Sequence, residues 1–183
     1  MLLATLDDVK TFLEKTDTTH DDLLELIITK VSARIELYLN RNLEKTERTQ
    51  YFDAGRRIYS LPAIPIDLTA TLTVTVDDEV QDINDDYFVW ESEGLIEFYT
   101  APDRTQPKQV KIVWSGGYTS TTVPEDIQYA AILQSAFVFR RRKDIGVNSL
   151  STPDGSLSVN APIDLLPEVK SILKSLRRKP SLR

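Results

Sequence analysis

The sequence predicts an α+β fold: about four helices around a central one, with a mostly antiparallel β insertion between the second and third helices. Three observations carry this. Residues 6–39, 124–143 and 167–176 space their apolar side chains at helical intervals between capping and stop signals. Residues 46–115 are instead rich in Thr, Val, Ile, Tyr and Phe, punctuated by Pro, Gly and Asp. The stretch 122–144, TVPEDIQYAAILQSAFVFRRRKD, points apolar residues all round a helical axis, the pattern of a buried helix. At 183 residues the chain is long enough for one domain with a sizeable core. Its expected parts are N-terminal helices (1–43), the β insertion (44–117), the central helix (122–145), a mobile loop or hairpin (146–162), and a C-terminal helix and tail (163–183).

Each element has its own signal. Thr5 and Asp8 have capping-box spacing ahead of Leu6, Val9, Phe12 and Leu13, and this first helix should end near Thr16 and Asp17. Thr18 or Thr19 is expected to cap the second helix. Its stripe is Leu23, Ile27, Val31, Ile35 and Tyr38, widened by Leu24, Ile28 and Leu39, and Asn40-Arg41-Asn42 ends it. Strand candidates are 49–52, 57–61, 70–76, 87–90, 95–99 and 110–114. Pro62 and Pro65 keep the link between residues 61 and 66 out of any central strand. In the central helix Pro124 suits the first turn, and Glu125 and Asp126 meet the positive end of the dipole. Arg140, Arg141, Arg142 and Lys143 meet its negative end, with Gly146 beyond. Pro153-Asp154-Gly155 is a turn signal. Pro167 and Glu168 open the last helix, whose apolar stripe is Val169, Ile172, Leu173 and Leu176.

Composition excludes several kinds of function. The sequence has no cysteine, so disulfides and thiolate metal sites are ruled out and a reducing compartment is expected. No apolar run approaches the ~20 residues that span a bilayer, so no membrane association is expected. The opening Met1-Leu2-Leu3-Ala4 lacks the basic start of a secretory signal. There is no phosphate-binding GxxxxGK[ST], no GxGxxG after a strand and no GxSxG. The single histidine, His20, stands among acids at a helix start and reads as a solvated surface residue. No catalytic, cofactor-binding or metal-binding residue is therefore assigned. An acid/base hydrolase using carboxylates of the insertion is the third reading.

Charge is unevenly spread over a net of −6. Residues 77–97 hold Asp77, Asp78, Glu79, Asp82, Asp85, Asp86, Glu91, Glu93 and Glu97 and no base. Residues 174–183 hold Lys174, Arg177, Arg178, Lys179 and Arg183 and no acid. Such a chain either binds head to tail or has two solvated surfaces. The basic cluster 140–143 also has two readings. A nucleic-acid site needs aromatic or polar readers nearby, and Phe137 and Phe139 look buried instead. Helix-end charge that doubles as a subunit interface needs nothing more, and net acidity weighs against a dedicated DNA binder. A small binding or regulatory module, binding nucleic acid through this cluster, is the alternative function.

The order of parts carries a resemblance. A LDDVKTFL start and a second helix ending ARIELYLNR precede YFDAGRRIYSLP, then VWSGGY, then VPEDIQYAAILQSAFVFRRRKDIG, and LLPEVKSIL follows. Together these resemble the head–tail connector, or adaptor and head-completion, proteins of tailed bacteriophages. The resemblance implies a structural virion protein of the neck, made in the host cytoplasm and without enzymatic activity. It implies a homo-oligomeric ring of about twelve copies under the portal protein, a cyclic head-to-tail assembly. It also implies a channel that DNA passes without specific binding, and a platform for the next neck or tail-completion protein. The cluster Arg140, Arg141, Arg142 and Lys143 is then expected at the subunit interface. Portal binding is expected of the last helix and its tail: Leu165, Leu166, Val169, Ile172, Leu173, Leu176, Arg177, Arg178 and Lys179.

Overall fold

The computed structural model describes residues 1–142, 149–152, 155–158 and 164–177. These form four helices and three antiparallel sheets, an α+β protein. Two compact units share the described chain: a helical unit built from residues 1–39 and 123–177, and a β unit built from residues 40–122.

In the helical unit, α1 (Leu6–Phe12) begins with the expected capping box, Thr5 and Asp8 serving each other's backbone N–H groups. It stops earlier than its spacing suggests. Glu14 turns left-handed at φ 57°, and Glu14 N–H and Lys15 N–H fold back onto the carbonyls of Thr11 and Lys10. The second helix, α2 (Asp21–Leu39), is not capped by a threonine side chain. Residues 18–20 form a turn in which Asp17 Oδ1 accepts from Thr19 N–H at 3.0 Å, and the helix ladder starts at the His20 carbonyl. Leu24, Ile27, Ile28, Val31, Ile35 and Leu39 line its buried face, with Leu23 and Tyr38 at the margins. Ser32 is buried with them because its Oγ accepts the Leu3 N–H at 3.0 Å.

Helix α3 (Glu125–Arg140) packs against α1, α2 and α4 (Pro167–Leu173). Its burial is narrower than all-round. Ile127, Ala130, Ala131, Gln134, Ser135, Ala136 and Phe139 are buried, while Ile132, Leu133, Phe137 and Val138 are half exposed. The alanines let neighbouring backbones approach. The polar Gln134 is inside for a reason: its Oε1 accepts the Leu166 N–H at 2.9 Å, ahead of a helix with no side-chain cap of its own. Strands β8 (Ser149–Thr152) and β9 (Gly155–Ser158) pair antiparallel, Ser149 opposite Ser158. Pro153 and Asp154 lie outside the described residues, as do the remaining parts of 143–163.

The β unit holds two antiparallel sheets. One runs β1-β7-β3-β4, from β1 (Thr46–Phe52), β7 (Val110–Gly116), β3 (Leu72–Val76) and β4 (Glu79–Gln81). The other runs β2-β6-β5, from β2 (Ile58–Ser60), β6 (Leu95–Phe98) and β5 (Tyr87–Trp90). Their inner faces form one core around Tyr59, Tyr87, Ile96, Phe98, Ile112 and Trp114. Phe52, Tyr59, Phe98 and Tyr87 make a chain of ring contacts with centroids 5.4–5.8 Å apart. Strand β4 was not expected from the sequence. It exists because Asp77 and Asp78 both take positive φ, 51° and 66°, which closes a two-residue hairpin with β3.

Gly116 and Gly117 close β7 in crowded surroundings. A Cβ on Gly117, whose φ is +110°, would lie 2.5 Å from the Leu43 carbonyl oxygen, and one on Gly116 2.5 Å from that of Ala63. Around them Gly117 N–H donates to Pro65 O, Tyr118 N–H to Leu43 O and Lys45 N–H to Tyr118 O. Backbone, not a movable side chain, blocks any substituent here. Gly117→Ala should destabilise the protein by more than about 1 kcal/mol in chemical denaturation. An unchanged denaturation midpoint would show that the strand end can shift to admit a methyl group.

Candidate functional site

No group of three or more His, Asp or Glu among the described residues is placed to hold a metal ion, and no described helix is long and apolar enough to cross a membrane. His20 is half-buried rather than solvated, its ring edge-on to Phe139 at 5.5 Å.

The C-terminal end of α3 brings three of the four basic residues expected at an interface together, with unequal freedom. Arg142 lies over the Phe139 ring, its Cζ 3.9 Å from the centroid, and its Nη1 donates to the Phe139 carbonyl at 2.6 Å, so it caps its own helix. Arg141 lies 5.4 Å from the Phe137 ring and is half-buried. Arg140 is exposed. Lys143 is outside the described residues. A contact with another molecule through this end therefore starts from Arg140, on a helix end that Arg142 holds still.

The residues expected to bind a portal sort differently. Leu165, Val169 and Leu173 are buried within the helical unit itself, where α4 packs on α3. That stripe faces its own unit because a two-turn helix has no stability of its own and needs the burial. Leu166, Ile172 and Leu176 are half-buried and Arg177 is exposed, so an outward contact is left to these four. Arg178 and Lys179 lie outside the described residues. Tyr38 reinforces the packing: its hydroxyl donates to the Lys170 carbonyl at 3.4 Å, and Arg177 lies 5.1 Å from its ring.

Asp164 ties the start of α4 down. Lys170 Nζ at 2.5 Å, the Leu165 N–H at 2.8 Å and Arg34 Nη2 at 3.1 Å, in that order of effect, lower its carboxyl from 3.8 to about 2. In the β unit Asp67, held by Lys45 and by the Thr69 hydroxyl and N–H, is likewise lowered to about 2.

A third surface went unnoticed in the sequence. Ile58, Phe88, Trp90 and Tyr99 are exposed at 51, 41, 45 and 51% on the β2-β6-β5 side of the β unit. Phe88 and Trp90 meet edge to face at 5.2 Å. Glu97 lies opposite both Ile58 and Phe88 in the strand register. It accepts from Trp90 Nε1 at 3.2 Å and from Arg57 Nη2 at 3.0 Å. A recess of about 300 Å³ lies among Arg57, Phe88, Trp90, Glu97 and Tyr99. The alternation that would reveal an outer face is hidden, because the inward Tyr87 and Val89 are as apolar as the outward Phe88 and Trp90.

The described residues thus form a helical unit and a two-sheet unit that present three exposed surfaces. The chain belongs to the head completion protein family, whose pattern it matches over residues 2–179. No curated protein sequence matches it. Solved structures similar to it include a chain from the neck of an empty gene transfer agent particle computed with C6 symmetry. That chain is 17% identical, with a TM-score of 0.63, over 98% of this chain and 92% of that one. A chain from the native particle's neck, computed with C12 symmetry, is 16% identical with a TM-score of 0.56, over 97% and 90%. A chain from the native virion of such a particle gives 16% and 0.60, over 98% and 92%. At these identities the likeness is one of fold.

Two tests address the α4 surface. Leu173→Ala should cost about 2–5 kcal/mol of stability in chemical denaturation, because it opens a cavity in the unit's own core. A cost near zero would mean that α4 is not anchored there. The carboxylates give the second test. A folded pKa below the unfolded one contributes stability that is complete above the unfolded value and lost as pH falls through the folded one. Thermal stability should therefore drop between about pH 4 and pH 2, and Asp164→Asn should flatten part of that drop. An identical acid profile in the variant would show that the Asp164 contacts do not persist in solution.

Proposed function

We propose that the protein is a structural component of a virion neck, a head–tail connector that joins the capsid to the tail and has no enzymatic role. It forms a ring of about twelve copies below the portal protein, extends the DNA channel and seats the next neck or tail-completion protein. The observation that carries this reading is membership of the head completion protein family over nearly the whole chain. The fold supports it, since similar chains come from particle necks computed with C6 and C12 symmetry.

In this reading the two units work as one subunit, with α3 the central helix of the helical part. Neighbouring copies meet through the basic end of α3, Arg140 to Lys143, set against the acidic residues 77–97. A closed ring requires two different complementary patches on each copy, and these two have opposite sign. The portal meets the outward side of α4: Leu166, Ile172, Leu176 and Arg177, with Arg178 and Lys179 beyond. The channel wall lets DNA slide, because a net charge of −6 per copy repels phosphate when multiplied around a ring.

Electron microscopy of the purified protein, alone and mixed with a portal ring, is the direct test. The expected result is a ring, free or stacked on the portal, and a protein that stays monomeric in both samples would remove this reading. Duplex DNA should not bind tightly at physiological salt. Submicromolar affinity with a steep salt dependence would favour a nucleic-acid-binding function through the basic cluster instead.

A further inference from the structure

We propose that the outer face of the β2-β6-β5 sheet is the socket that receives the basic end of α3 from a second copy of this chain. This deepens the ring reading and rests on it, since it names the surface that accepts the arginines.

The face is apolar, exposed and held in shape. Phe88, Trp90, Tyr99 and Ile58 are each 41–51% exposed, a concentration of aromatic surface that marks an interaction site. Glu97 fixes the Trp90 indole through its Nε1, and Phe88 braces the same ring edge-on, so the ring planes are set before any partner arrives. Arg57 neutralises Glu97 within the face. Carboxylates bracket β5 at both ends, Asp85 and Asp86 before it and the exposed Glu91 and Glu93 after it.

Fixed aromatic faces bordered by carboxylates suit a guanidinium, which stacks on the rings while its charge meets the acids. Charge decides the occupant. The same face on a second copy would bring acid against acid, so a symmetric face-to-face pairing is disfavoured. The basic end of α3 has the opposite sign, and its Arg140 is exposed and makes no ion pair among the described residues. Arg142, capping Phe139, keeps that end rigid. Knob and socket are different surfaces, so their contact is head to tail and propagates from copy to copy.

The full-length chain tests this by native mass spectrometry and sedimentation. Phe88→Ala with Trp90→Ala removes the socket, and Arg140→Glu reverses the knob. All three side chains are exposed, so melting should stay at the wild-type value. Each variant alone should need more than about tenfold higher concentration to assemble. Mixed one to one, each variant supplies the surface the other lacks, and the expected product is a two-copy species that grows no further. A second arm is Glu91→Lys with Glu93→Lys in the exposed turn after β5. It should block assembly, and adding Arg140→Glu to the same chain should restore it. Wild-type assembly by the socket variant, or a mixture with no two-copy species, would overturn the socket while leaving the ring intact. Rescue by reversing Lys174 and Arg177 in place of Arg140 would also overturn it, by naming a different knob. A wild-type chain that never assembles, even beside a portal, would remove the ring and the socket together.

Discussion

The buried amide of Gln134 is the contact on which the helical unit's last element depends. A helix of seven residues cannot hold itself together in water, and its first N–H groups have no partners within the helix. Gln134 reaches from the middle of α3 to take the Leu166 N–H just ahead of α4. Asp164, immediately before it, accepts from the Leu165 N–H, from Lys170 Nζ and from Arg34 Nη2. With the entry fixed, Leu165, Val169 and Leu173 fall onto the core of the unit and are fully buried. Each such side chain contributes roughly 1.5–3 kcal/mol of burial. A buried polar residue on an alanine-rich helix is thus what sets where the next helix begins.

In the β unit the comparable constraint is steric. The strand end at Gly116 and Gly117 passes between two backbone segments that leave no space for a side chain. Hydrogen bonds from Gly117, Tyr118 and Lys45 then close the space around it. Trp114, two residues earlier, is almost completely buried and donates its indole N–H to the Ala63 carbonyl at 3.2 Å. The largest side chain of the core and the two smallest residues next to it therefore grip the same buried link, residues 61–66. It forms no strand of its own and meets β7 through an isolated bridge between Ile66 and Gly116.

Much of this was legible in the sequence, and the failures have physical causes. Helix existence and the β character of the insertion followed from periodicity and composition, and the Thr5 capping box formed as its spacing suggested. Strand β4 was invisible because its only apolar residue, Val80, is 65% exposed and its pairing comes from a turn of two left-handed aspartates. The cap of α2 was misplaced because residues 18–20 form a turn ahead of the helix, closed by Asp17 Oδ1 on the Thr19 N–H, and the ladder starts only at the His20 carbonyl. On α3, composition showed a mostly apolar helix but not that Gln134 and Ser135 would be inside while Phe137 stayed half out. The basic cluster could be read from charge alone, but which arginine caps its own helix depends on geometry. The aromatic face could not be read, because both sides of β5 are apolar.

The four-stranded sheet has a further consequence at its edges. Its edge strands are β1 and β4, and exposed strand edges are templates for unwanted pairing between chains. β4 is three residues long, begins in a left-handed aspartate turn and runs on into Asp82, Asp85 and Asp86. A second chain approaching that edge would find few backbone groups to pair with and a line of negative charge. β1, although seven residues long, carries Glu47 and Arg48 at its start and follows Lys45. The sheet thus discourages side-by-side pairing of strands from different chains.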